Sequence, residues 1–153
     1  MKLHHTALIG TGYWGSIIFN TLTKISKKKI YVYDKNIKNS KLLLNRFPKQ
    51  TIIAKSYNEI LYDKNIKNII LATHPSINFF LGKKALNANK NLFVEKPILN
   101  NKKKLSKLIT IANKNKKVLM GGYVYLFNTY IEKIKKIINS KELGVIKYIE
   151  AQR

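Results

Sequence analysis

At 153 residues and 45% apolar content, the chain is long enough for one domain with a real core, or one domain and part of another. It is too apolar to be disordered or fibrous. It has no cysteine, which excludes disulfides, thiolate metal sites and thiol nucleophiles. A net charge of +23 raises the question of nucleic acid. Two features argue against a specific nucleic-acid partner. Arg46 and Arg153 are the only arginines, whereas phosphate and base recognition favours the guanidinium fork. The lysines are also scattered among asparagines and isoleucines, a mixture that an AT-rich genome over-supplies. The positive field still draws anionic ligands, a dinucleotide among them. No apolar run approaches membrane-spanning length, and the start, MKLHHTALIG, lacks a signal-peptide pattern. A cytoplasmic protein without a membrane segment is expected.

In chain order, residues 6–9 form the first apolar run of strand length, and LIGTGYWGSI carries glycines 10, 12 and 15 directly behind it. A helical segment follows with Ile17, Ile18 and Leu22 at helical spacing. Residues 30–33 read as the second strand and end in Asp34, 24 positions after Gly10 in a chain with seven acids. Further strands are expected at 51–54, 68–72, 92–95 and 118–120. Between them lie helices marked by Phe79, Phe80 and Leu86, then by Leu105, Leu108, Ile109 and Ala112. Strands alternating with helices predict an α/β domain, a doubly wound parallel sheet covered on both faces. Runs such as NIILA, apolar on consecutive positions, agree with two covered faces.

In that architecture the glycines have physical roles. Gly10 makes the tight turn, Gly12 lets the backbone approach a pyrophosphate, and Gly15 lets helix and strand pack closely. The helix N-terminus adds N–H groups and a positive dipole end for phosphates. Asp34 can accept hydrogen bonds from the adenosine ribose hydroxyls. The loop therefore predicts a dinucleotide site rather than a bare turn. Residues 129–140 predict a helix with Ile131, Ile134, Ile137 and Ile138 on one side, and residues 145–151 a strand with an unpaired edge. The expected division is 1–122 as a dinucleotide-binding domain and 123–153 as the start of a second domain.

Residues 72–100, ATHPSINFFLGKKALNANKNLFVEKPILN, resemble the glucose–fructose oxidoreductase, inositol dehydrogenase and MocA (Gfo/Idh/MocA) family. In that family a strand ends in a Thr-Pro-like turn, a helix follows, and the next strand ends in Glu-Lys-Pro, here Glu95, Lys96 and Pro97. The likeness runs through the rest of the chain. GYWG together with LFN and ELGVIKYIEAQR is similar to the branch acting on nucleotide sugars.

The resemblance implies a Rossmann fold and NAD(P)-dependent hydride transfer at a secondary alcohol carbon of a sugar, polyol or nucleotide sugar. By analogy Gly10, Thr11, Gly12, Tyr13, Trp14, Gly15, Asp34, Thr73, His74, Glu95 and Lys96 face the cofactor. Lys96 is the expected catalytic residue: a lysine there can stabilise a developing alkoxide and handle a proton. Pro97 fixes its turn. Trp14 reads as a packing residue of the loop, and His74 as a solvated loop histidine. His4 and His5 receive no role. Lys35 beside Asp34 leaves NADP possible, but the carboxylate favours NAD. No metal is expected.

Two departures from the family pattern stand out: His74 interrupts the Thr-Pro turn, and Asn78 replaces a histidine common in the family. The family's second domain also supplies an Asp and a His to the catalytic site and mediates oligomer contacts, and most of it is absent from this sequence. The alternative is a stand-alone dinucleotide-binding module without turnover.

Overall fold

The computed structural model describes residues 5–152, so His4 and Arg153 lie outside it. The chain divides into two compact units, the first ending at Gly122 and the second starting at Tyr123. The first unit alternates strand and helix throughout. Its elements are β1 (His5–Ile9), α1 (Tyr13–Ile25), β2 (Ile30–Tyr33), α2 (Ile37–Arg46), β3 (Thr51–Ile53) and α3 (Tyr57–Tyr62). They continue as β4 (Ile66–Leu71), α4 (Pro75–Asn87), β5 (Asn91–Val94), α5 (Lys102–Lys114) and β6 (Leu119–Gly121). All six strands are parallel, in the order β3-β2-β1-β4-β5-β6. This is the doubly wound Rossmann arrangement. The strand order reverses between β1 and β4, and ligands of open α/β sheets bind outside the carboxyl ends of the strands at that point.

The strand side chains explain the two faces. Alternate residues of β1 point to opposite sides, so Ala7 and Ile9 enter one core while Leu8 enters the other. The first core is larger and takes Ile69 and Leu71 of β4, Leu92 and Val94 of β5, Leu86 of α4, and Leu108 of α5. The second collects Phe19 of α1, Val32 of β2 and Leu43 of α2. Three positions expected on the buried helical faces are exposed: Ile17, Phe80 and Ile109. Their places in the core go to small or neighbouring residues, Gly15 and Phe19 in α1 and Gly82 and Ala85 in α4.

Asparagine, abundant in the sequence, caps helices here. Asn36 accepts from Lys38 N (3.2 Å) and Asn101 from Lys104 N (2.9 Å) at the starts of α2 and α5. Ser56 caps α3 by accepting from Glu59 N (3.1 Å), while the Glu59 carboxylate reaches back to Lys55 N (2.7 Å). Lys90 is buried at the start of β5, and its Nζ donates to the carbonyls of Asp63 (2.6 Å) and Ile66 (2.7 Å). It ties the α3–β4 turn to β5. Burial and then the neighbouring Lys67 push its pKa below the ordinary lysine value, against the opposing pull of Asp63.

The second unit holds a short 3₁₀ turn (Val124–Phe127) and helix α6 (Thr129–Ser140), capped by Asn128 through Tyr130 N and Ile131 N. No residue of either is buried. The strand expected at 145–151 is not found: those residues belong to no helix or strand. An extended segment becomes a strand when its N–H and C=O groups enter a ladder, and among the described residues none pairs with it.

Candidate functional site

The turn after β1 is set by glycines whose roles separate cleanly. Gly10 has φ +86°, in the left-handed region that glycine adopts without strain. A Cβ there would also collide with the Ala72 carbonyl at the end of β4. A Cβ on Gly15, in the first turn of α1, would run into the Gly10 carbonyl, so α1 sits as close to the loop as glycine permits. Gly12 differs from both. Its φ of −68° suits any residue, and a Cβ there would meet no protein atom within 4 Å. The fold does not demand glycine at this position, whereas close approach of a ligand to the backbone would. Gly12 is also the N-cap of α1 and makes no side-chain cap bond, so the first-turn N–H groups face outward with the positive dipole end.

Asp34 closes this loop from β2. Its Oδ2 accepts from Thr11 N (2.7 Å), Thr11 Oγ1 (3.2 Å) and Asn39 Nδ2 (3.4 Å). Its Oδ1 accepts from Asn36 N (2.8 Å). A carboxylate offers about four acceptor positions, so Oδ1 keeps room for one more donor. Thr11 is turned inward, only 4% exposed, and its hydroxyl also meets Ser40 Oγ at 3.2 Å. The sequence reading assigned Asp34 to a ligand and overlooked this second task of holding the glycine loop.

Across the reversal point, Thr73 and His74 end the turn after β4. Thr73 Oγ1 donates to Asn78 Oδ1 (2.6 Å), and Asn78 Nδ2 donates to the Ile98 carbonyl (3.4 Å). Asn78 is 1% exposed and thereby links the turn after β4 to the segment after β5. The sequence flagged Asn78 as a departure, but not its bracing role. His74 caps α4 with Pro75 behind it, and its Nδ1 accepts from Ser76 N (3.3 Å), which places any ring proton of the neutral form on Nε2.

After β5, the Glu95 carboxylate accepts from Lys96 N (3.1 Å) and packs against Gly122, where a Cβ would lie 2.8 Å from Oε1. The Lys96–Pro97 peptide bond is cis. Lys96 Nζ lies 5.5 Å from the centroid of the Trp14 ring. Trp14 was expected to pack, yet it is 53% exposed and meets Tyr13 edge-on at 5.6 Å. Its position on the outer side of the first turn of α1 keeps it out of both cores.

Gly10, Gly12, Asp34, Thr73 and His74 line one cleft of about 430 Å³, whose apolar wall includes Ile77 and Leu81. That volume lies in the range of small-molecule and cofactor sites. A second cleft of about 310 Å³ shares Asp34 and Lys35 and adds Lys55, a residue the sequence reading did not single out. No cluster of three or more metal-ligating side chains occurs among the described residues, and no helix among them is long and apolar enough to cross a membrane.

Comparison with known proteins identifies the family. Residues 4–123 match the model of the Gfo/Idh/MocA oxidoreductase family, described as an NAD-binding Rossmann fold. The chain belongs to that family. A curated relative, the uncharacterised oxidoreductase YrbE of Bacillus subtilis (strain 168), is 26% identical over 140 residues, covering 91% of this chain and 41% of YrbE. Among solved structures, GenD2 of gentamicin A biosynthesis, in complex with NAD, superposes with a TM-score of 0.83 at 19% identity. The match covers 93% of this chain and 40% of GenD2. UDP-N-acetylglucosamine 3-dehydrogenase GnnA of Acidithiobacillus ferrooxidans gives 0.77 at 20% identity, over 89% of this chain and 43% of GnnA. At such identities the structural likeness speaks for the fold. The chain spans about two fifths of the length of these relatives.

Proposed function

We propose that this chain is the dinucleotide-binding part of an NAD(P)-dependent oxidoreductase acting on a secondary alcohol carbon of a sugar, polyol or nucleotide sugar. The observation that carries the reading is Gly12, a glycine that neither backbone angle nor packing requires, at the mouth of a helix N-terminus. In this reading the N–H groups of α1 take the pyrophosphate, and the remaining acceptor position of Asp34 Oδ1 takes a ribose hydroxyl. The Thr73–His74 turn lies along the opposite wall. A bound nicotinamide supplies the hydride chemistry. Lys96 Nζ meets the substrate hydroxyl, donating to the oxygen as negative charge develops there. Asn78 keeps the Thr73 turn and the Lys96 segment in register.

The sugar class rests on family resemblance, and relatives such as GnnA, named for a nucleotide-sugar reaction, support it. A cytoplasmic location and NAD as the preferred cofactor belong to the same proposal. Among the described residues of the cleft, the His74 ring is engaged as the cap of α4 and Lys96 is the group assigned to the substrate, and hydride transfer needs the sugar held against the cofactor as well. The 153-residue protein is therefore expected to bind NAD(H) without measurable turnover. Absorbance assays at the nicotinamide band, run with NAD⁺ across a panel of nucleotide sugars and polyols beside calorimetric titration of the cofactor, test this. Binding without turnover is the expected result. Turnover abolished by Lys96→Ala would show that this chain suffices for catalysis. A folded sample that binds no cofactor would refute the reading.

A further inference from the structure

The contact between Trp14 and Lys96 joins two motifs that are 82 positions apart and that no hydrogen bond connects directly. Lys96 leaves the carboxyl end of β5, while Trp14 stands on the first turn of α1, behind β1. β4 lies between β1 and β5 in the sheet, so the strands that lead into the two motifs are two strand spacings apart, roughly 10 Å. The lysine side chain bridges that distance across the point where the strand order reverses. Its backbone end is fixed, because Lys96 N donates to the Glu95 carboxylate. Its far end lies 5.5 Å from the centroid of the indole, within the range of a cation–π contact. An exposed lysine otherwise samples many rotamers, and ordering one carries an entropy cost.

Tryptophan offers the most favourable ring face for an ammonium. Trp14 is the chain's only tryptophan, and it stands half-exposed beside the glycine loop. The Tyr13 ring lies nearly perpendicular to it from the preceding position, and Lys96 Nζ stands over the indole ring.

We propose that Trp14 is the positioning residue for Lys96: its indole face holds the ammonium over the first turn of α1, at the nicotinamide end of the cleft. The location of that end rests on the function proposed above, whereas the ring contact does not. Trp14 acts through Lys96. A leucine in its place would leave the glycine loop intact and release the ammonium, and a phenylalanine would retain a weaker hold.

The test uses reductive methylation with ¹³C-formaldehyde, which labels lysine amines and keeps their charge. Lys96→Arg identifies the Lys96 resonance, and the other lysines serve as internal references apart from Lys104, whose Nζ lies 5.6 Å from the centroid of the Phe79 ring. In the unsubstituted protein the Lys96 methyl resonance is expected upfield of the rest, shifted by the indole ring current. Trp14→Leu should return it to the common position, and Trp14→Phe should keep part of the shift. A Lys96 resonance among the others in the unsubstituted protein, or one still upfield in Trp14→Leu, overturns the proposal.

The second arm compares NAD⁺ with ADP-ribose, which lacks the nicotinamide, each at saturation. NAD⁺ should move the Lys96 resonance and ADP-ribose should leave it in place. In Trp14→Leu the NAD⁺-dependent movement should be lost. Equal movement with both ligands, or undiminished movement in Trp14→Leu, overturns the placement. Failure of both ligands to bind refutes the cofactor reading and the placement with it, and is told apart by the first arm, which needs no ligand.

Discussion

Replacing Asp34 separates its two tasks. In Asp34→Ala, Thr11 N loses the acceptor it now meets at 2.7 Å, and Asn36 N loses its own at 2.8 Å. Thr11 is buried, so leaving its N–H without a partner costs about 1–3 kcal/mol. For a chain of this size that corresponds to a fall in Tm of roughly 3–10 °C. The proposed ribose contact would be a charge-assisted bond of about 1.5–3 kcal/mol, so NADH affinity should fall roughly tenfold to a hundredfold. NADPH should lose much less, because removing the carboxylate also removes its repulsion of a 2′-phosphate, and Lys35 and Lys55 line the adjoining cleft. In the unsubstituted protein NADH should bind more tightly than NADPH. Thermal melts followed by calorimetric titration of both cofactors measure each quantity, in salt sufficient to screen the general attraction of a +23 protein. Unchanged Tm together with an unchanged NADH preference would refute both assignments of Asp34.

Gly10→Ala should destabilise the fold by several kcal/mol, because φ is +86° and the methyl meets the Ala72 carbonyl; denaturant unfolding measures it, and a shift below about 1 kcal/mol would contradict the steric argument. Lys90 has a lowered native pKa, so between that value and 10.5 the unfolded chain holds more protons, and stability should rise with pH through this window and be flat below it. Lys90→Met should lack that rise when unfolding is followed below about pH 9, where the raised pKa values of Tyr31 and Tyr57 have hardly begun to act in the opposite direction. Duplex DNA should bind weakly, without sequence preference, and be released steeply between low and moderate salt; nanomolar affinity for one sequence at physiological salt would contradict a compositional origin of the charge.

Much of this architecture is legible in the residues. The run at 30–33 is β2 to the residue, and 129–140 is α6 to the residue, because each has a clear period bounded by polar or capping residues. α3 (Tyr57–Tyr62) gave no signal, since six residues are too few to display a helical period. β4 begins at Ile66 rather than at 68, because the charged Lys67 interrupts the apolar run while pointing outward. The glycine loop and Asp34 could be located because their spacing along the chain reflects local geometry, and the Glu95-Lys96-Pro97 turn because it resembles a family motif. The Asp34–Thr11 bond, the Asn78 brace and the Trp14–Lys96 contact could not. Each depends on which loop ends the sheet order brings side by side, information that local periodicity does not carry.

The central claim is that the loop after β1 is a dinucleotide cradle, and a paired titration of NADH into the unsubstituted protein and Gly12→Val tests it most directly. A Cβ at Gly12 meets no protein atom within 4 Å, so the variant should fold, with a fall in stability of about 1 kcal/mol from placing valine at the N-cap of α1. The parent should show one saturable NADH site, and Gly12→Val should lose it through steric exclusion of the pyrophosphate. A variant that folds and still binds NADH as tightly as the parent would contradict the account.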